Sequence, residues 1–146
     1  MSTVDDSVRE LLLLMPRLVG RAKKLPVPAE LRSFALAPRH ITLLAYLLFD
    51  GPLTVNELAA RLEIAPTTAS LMVGELSRQG VLQRTECPVD RRRTIVTITD
   101  DHRPAVERWL SAGANAWRKA LAPLTREQRE LFVGTLRAYQ EAVCEG

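Results

Sequence analysis

The sequence predicts a mainly α-helical chain interrupted by one small β-hairpin, and three observations carry that expectation. Apolar residues recur at three- and four-residue spacing over most of the chain. One stretch, Thr94-Ile95-Val96-Thr97-Ile98-Thr99, is β-branched at every position, a composition suited to a strand. Proline, glycine and hydroxyl-bearing residues fall where helices start and stop. At 146 residues, with 47% hydrophobic and 25% charged, the chain is sized and composed as one ordinary globular domain.

The opening segment places Val8, Leu11, Leu12, Met15, Leu18, Val19 and Ala22 on one helical face. Pro16 lies inside it and costs about 3 kcal/mol in a helix interior, so the helix either kinks there or begins near Met15. Residues Leu25 to Pro38 hold three prolines and read as a loop with at most one short turn. A second helix follows, with Ile41, Leu44, Ala45, Leu48 and Phe49 on one face, and Asp50-Gly51-Pro52 ends it.

Thr54-Val55-Asn56-Glu57 is a capping-box pattern, opening a short helix that turns Val55, Leu58, Ala59 and Leu62 inward. Glu63-Ile64-Ala65 breaks the period, and Pro66 suits the first position of a new helix. That helix buries Ala69, Met72, Val73 and Leu76 and stops at Gly80. The period then changes to two: Val81, Leu82, Arg84 and Glu86 lead to the polar stretch 87–93 and back along the β-branched run, forming a hairpin. Asp100 or Asp101 is positioned to cap the next helix, which turns Ala105, Val106, Trp109, Leu110, Ala116, Trp117, Ala120 and Leu121 inward, with Gly113 weakening its middle. Thr125 to Gln128 repeats the capping-box pattern before a last helix striped by Leu131, Phe132, Leu136, Tyr139 and Val143.

Residues 37–99 therefore form one compact lobe, while 1–36 and 100–146 supply amphipathic helices without an obvious partner in it. Those helices can close on each other or bury their stripes across a subunit boundary, and in so small a chain the second is favoured. Within the lobe, two helices joined by a tight connector and followed by a hairpin make a helix-turn-helix with a wing. A helix fits the major groove of duplex DNA, and a basic hairpin tip reaches phosphates or the minor groove. The outward face of the second helix shows Thr67, Thr68, Ser70, Leu71, Gly74 and Glu75, with Arg78 at its end. The hairpin tip carries Arg91-Arg92-Arg93 beside Asp90.

In the order and spacing of Leu53-Thr54-Val55-Asn56-Glu57-Leu58-Ala59-Ala60-Arg61-Leu62, Leu76-Ser77-Arg78-Gln79-Gly80-Val81-Leu82-Gln83-Arg84 and Asp90-Arg91-Arg92, closed by Ile98-Thr99, the chain resembles the MarR family of bacterial winged-helix transcription regulators. The resemblance implies a homodimeric repressor on a palindromic operator, its first and last two helices interlocked, often relieved by an oxidant or a small aromatic or phenolic ligand. It implies a double-stranded DNA interface of Thr54, Asn56, Pro66, Thr67, Thr68, Ser70, Leu71, Arg78, Arg84, Asp90, Arg91, Arg92 and Arg93. In it Arg92 enters the minor groove while Asp90 holds its guanidinium. The family often carries a basic residue where Leu71 stands and another near Glu75, so the wing arginines are expected to carry more of the affinity here. Ala65 stands in place of the usual capping hydroxyl, which leaves Thr67 or Thr68 to be drawn to the backbone.

The remaining chemistry is sparse. His40 opens the second helix, where the resemblance puts an effector pocket, and Trp117 is a candidate pocket wall; the plainer uses are a half-buried imidazole and core packing. Cys87, in the wing near Arg84 and Arg91, is a weak candidate for oxidant sensing, and Cys144 reads as incidental. His40 and His102 show no metal-ligand spacing, there is no glycine-rich phosphate loop and no nucleophile paired with a histidine. Neither enzyme activity nor a cofactor is expected. No apolar run is long enough to span a membrane and acidic residues precede Leu11–Met15 where a signal peptide is basic, so the cytoplasm is the expected location. The net charge of +3 permits an anionic partner without requiring one. A winged helix used for protein association, without a DNA role, is the alternative reading.

Overall fold

The computed structural model describes residues 3–32 and 38–145. They form α1 (Val4–Ala22), a 3-10 turn (Ala29–Leu31), α2 (Pro38–Asp50), β1 (Leu53–Thr54), α3 (Val55–Leu62), α4 (Pro66–Arg78), β2 (Leu82–Glu86), β3 (Thr94–Ile98), α5 (Arg103–Leu121) and α6 (Arg126–Glu145). The chain divides into two units, Met1–Ser111 and Ala112–Gly146, with the boundary inside α5. Among the described residues no helix is long and apolar enough to cross a membrane.

In the first unit, α1 runs unbroken through Pro16, so its start near Met15 is overturned. Thr3 and Asp6 form the capping box that sets the true start: Asp6 N–H donates to Thr3 Oγ1 at 3.2 Å and Thr3 N–H to Asp6 Oδ2 at 2.9 Å. None of its residues is buried. The proline-rich loop contributes the 3-10 turn, and Leu31 at its end is fully buried in the core; residues 33–37 of that loop lie outside the described residues.

The core assembles Leu43, Leu44 and Leu47 of α2, Leu58 of α3, Met72, Val73 and Leu76 of α4, Val96 and Ile98 of β3, and Ala105 and Val106 of α5. The α4 positions are those the 3.6-residue period picks out, because Pro66 and Gly80 leave its register no freedom; Gly80 takes φ +81°, the left-handed region that a glycine enters without strain. On α2 the expected face is corrected. Phe49 is 75% exposed and Leu43 and Leu47 are buried in its stead, since the almost unbroken apolar run of residues 43–49 admits more than one stripe.

The hairpin forms as expected, with β2 and β3 antiparallel and Arg84 opposite Val96. A third strand was not evident in the sequence: β1 joins the far edge of β3, pairing Leu53 with Val96 and Thr54 with Ile95. The expected aspartate cap of α5 is also corrected. The helix begins at Arg103, whose N–H donates to the Thr99 carbonyl at 2.9 Å, as does that of His102 at 3.1 Å. Trp109 and Leu110 pack against the core.

In the second unit, Gln128 N–H donates to Thr125 Oγ1 at 3.2 Å and Thr125 N–H to Gln128 Oε1 at 2.8 Å, the capping box expected for α6. Trp117 lies against Phe132 with ring centroids 5.8 Å apart, while Leu131, Leu136, Tyr139 and Val143 stand exposed.

Glu30, beside the core turn, accepts a hydrogen bond from Arg108 at 2.5 Å. Its carboxyl is held below its ordinary value of 4.5, first by its own backbone N–H and then by Arg108. A lowered folded-state value means this contact is fully present above the ordinary value and is lost as pH falls through the lowered one. In Arg108→Ala the Glu30 carboxyl, followed by NMR, titrates at a higher pH than in the parent, recovering only part of the shift because the backbone bond remains.

Candidate nucleic-acid interface

The connector between α3 and α4 is three residues long, and its geometry is closed by backbone bonds. Ile64 N–H donates to the Ala59 carbonyl at 3.1 Å and Glu63 N–H to that of Ala60 at 3.3 Å, the pairing that ends a helix on a left-handed residue. Here that residue is Glu63, at φ 56°. Ala65 then enters α4 in extended conformation, without a side-chain cap, and Pro66 takes the first turn. The exposed first turn of α4 therefore has no capping hydroxyl from Ala65 over its amide groups, at the positive end of the helix dipole.

The inward side of α4 is buried, and Thr67, Thr68, Ser70, Leu71 and Arg78 are exposed on the other. Leu71 is 69% exposed. Glu75 turns toward α2, its Oε2 3.6 Å from Nε2 of His40, whose side chain is 5% exposed. In sequence the helix has no cation before Arg78. In space it does: Arg84 of β2 crosses to α4, where its Nη2 donates to the Ser70 carbonyl at 3.2 Å. A Cβ on Gly74 would stand 3.5 Å from Arg78 Nη1 and 3.8 Å from Arg84 Nη2, so both guanidinium groups converge over this glycine.

Around the wing the three arginines separate. Arg91 and Arg92 are exposed at the tip. Asp90 Oδ1 accepts the main-chain N–H of Arg92 at 3.0 Å; it shapes the turn, in place of the guanidinium contact expected from the resemblance. Arg93 reaches back to α3, where its Nη2 lies 2.8 Å from Glu57 Oε1. Thr54 is buried, and its hydroxyl accepts Glu57 N–H at 3.1 Å and donates to Glu57 Oε1 at 3.0 Å. Of the capping box it opens, the Thr54 half is formed. Asn56 is exposed beside it, and the two residues, with Arg92, Arg93 and Thr94, line a cleft of about 470 Å³ between α3 and the wing. Cys87 is half-buried at the base of the wing, its N–H donating to the Arg93 carbonyl at 2.8 Å, and Cys144 is exposed near the end of α6.

Two helices joined by a rigid three-residue turn, backed by a three-stranded sheet whose hairpin presents arginines, define a winged helix-turn-helix. The sequence pattern of the MarR family matches residues 36–93. The chain is 30% identical over 131 residues to the HTH-type transcriptional repressor MdtR of Bacillus subtilis (strain 168), spanning 88% of this chain and 82% of that protein. A probable transcriptional regulator from Pseudomonas aeruginosa is 26% identical, with a TM-score of 0.62 over 94% of this chain and 99% of that one. The PcaV transcriptional regulator from Streptomyces coelicolor, solved with its natural ligand, shares the fold at 22% identity and a TM-score of 0.63 over 98% and 99% of the two chains. The chain belongs to the MarR family of transcription regulators.

A left-handed backbone costs a residue with a side chain about 1–2 kcal/mol. Glu63→Gly should therefore raise the stability of the protein by about 1 kcal/mol in urea unfolding, with α3 and α4 unchanged by circular dichroism.

Proposed function

We propose that this chain is a homodimeric repressor that lays α4 into the major groove of a palindromic duplex and places Arg92 in the neighbouring minor groove. The observation that carries this reading is the shared frame of α4 and the wing: an open helix face and two exposed tip arginines project from elements joined where Thr99, after β3, bonds the Gly80 and Val81 carbonyls that follow α4. Thr67, Thr68 and the first-turn amides of α4, together with Asn56, serve phosphates. Ser70 and Leu71 face bases, with Leu71 suited to a thymine methyl. Arg78 and Arg84 supply the charge that the middle of the helix lacks. The 30% identity to a named transcriptional repressor supports repression as the outcome.

The dimer is supported by the exposed apolar stripes of α1 and α6, each with no buried residue. Relief by a small aromatic or phenolic ligand belongs to the same proposal. His40 is buried within reach of Glu75 on α4, so a ligand engaging His40 would be felt at the reading helix.

Arg92→Ala should weaken binding to DNA from upstream of its own gene by about 1–3 kcal/mol, measured by gel shift, and lower the slope of log affinity against log salt by about 0.9. Unchanged binding by this variant removes Arg92 from the interface. Absent or salt-insensitive binding by the parent favours a protein-association module.

Replacing Leu14 and Leu18 together with Glu should convert the dimer to a monomer in sedimentation equilibrium while leaving the lobe folded, because neither side chain belongs to its core. A parent that sediments as a monomer removes the dimer from the proposal.

A further inference from the structure

We infer that Glu57 withholds Arg93 from DNA, so that the wing grips with Arg91 and Arg92 alone. The inference rests on the duplex-binding reading and deepens it. Three consecutive arginines read as one cationic tip, but the fold sorts them. The Arg93 backbone closes the loop, its N–H donating to the Asp90 carbonyl at 3.0 Å and its carbonyl accepting from Cys87 N–H at 2.8 Å. Its side chain leaves the tip and ends 2.8 Å from Glu57 Oε1.

Glu57 is not a loosely placed surface carboxylate. The oxygen that takes Arg93 also accepts the Thr54 hydroxyl at 3.0 Å. The other lies 3.9 Å from Arg61 Nη1, and Arg61 is anchored in turn by Asp50 Oδ2 at 2.9 Å. An alternating chain of charges, Arg93–Glu57–Arg61–Asp50, thus runs from the wing across α3 to the end of α2. An isolated exposed pair holds a guanidinium weakly, but here the carboxylate is already in place when Arg93 arrives. A phosphate competing for Arg93 must displace that carboxylate and approach its negative charge. The competition takes place on the wall of the cleft shared by Asn56 and Arg92, where the proposed backbone contacts lie. Glu57 is therefore a positioning residue that sets how many wing cations meet the duplex.

The test reads the number of phosphate contacts rather than affinity alone. Binding to a fluorescein-labelled mixed-sequence duplex is followed against potassium chloride for the parent, Arg93→Ala, Glu57→Gln and the double variant. Gln keeps the size of Glu57 and still accepts from Thr54. The expected result is an unchanged slope for Arg93→Ala, a slope steeper by about 0.9 for Glu57→Gln, and a return to the parent slope in the double variant. A shallower slope in Arg93→Ala means that Arg93 already holds a phosphate and overturns the inference. A slope that Glu57→Gln leaves unchanged, or one that stays steep in the double variant, overturns it as well. If the parent itself shows no salt-dependent binding, the duplex-binding reading falls first and takes this inference with it.

Discussion

The antiparallel pairing of Leu53 with Val96 and Thr54 with Ile95 is the constraint on which the rest of the lobe depends. A two-residue strand contributes little pairing by itself. Its importance is positional: Thr54 is at once the partner of β3 and the residue that caps α3. The start of the helix-turn-helix and the inner strand of the wing are therefore fixed by the same residue. On the other side, the Thr99 hydroxyl donates to the Gly80 carbonyl at 2.7 Å, and Thr99 N–H donates to the Val81 carbonyl at 3.0 Å. These bonds tie the end of α4 to the end of β3. The helix pair and the hairpin thus share one hydrogen-bonded frame.

Charge is distributed by the same frame. α4 is nearly neutral along its length, yet Arg84 arrives from β2 and Arg78 folds back over Gly74. Cations are thus lent to α4 by the sheet and by its own last turn. This arrangement leaves the central outward positions to small and apolar side chains. It also explains why counting charges along the helix understates its positive character. The wing shows the reverse, since a run of three arginines overstates the free charge there once Arg93 is paired with Glu57.

Where local rules act alone, the sequence was legible. Pro66 and Gly80 bracket α4, and its four buried positions follow from the helical period. The Thr125–Gln128 box and the β-branched strand are likewise local signals. What escaped notice depended on partners distant in the chain or on weak local cues. The Thr3–Asp6 box outweighed Pro16, because in an exposed helix the carbonyl that proline leaves without a donor can bond to water. β1 is too short to show a period. Leu43 and Leu47 take the place expected of Phe49 because the apolar run on α2 fits several faces, and only the packed core decides among them. In the candidate site, residue identities were readable but their allegiances were not. Arg84 bonds to α4, Asp90 to the Arg92 backbone and Arg93 to α3, and each choice is made by folding.

Arg84 takes hold of a main-chain carbonyl rather than a side chain. Whatever residue occupies position 70, its carbonyl oxygen is the same, and the anchor does not depend on the neighbouring side chains at 70 and 71. The placement of charge and the choice of outward side chain are therefore separable on this helix. Substitutions of the side chains at those two positions leave the borrowed cation where it is.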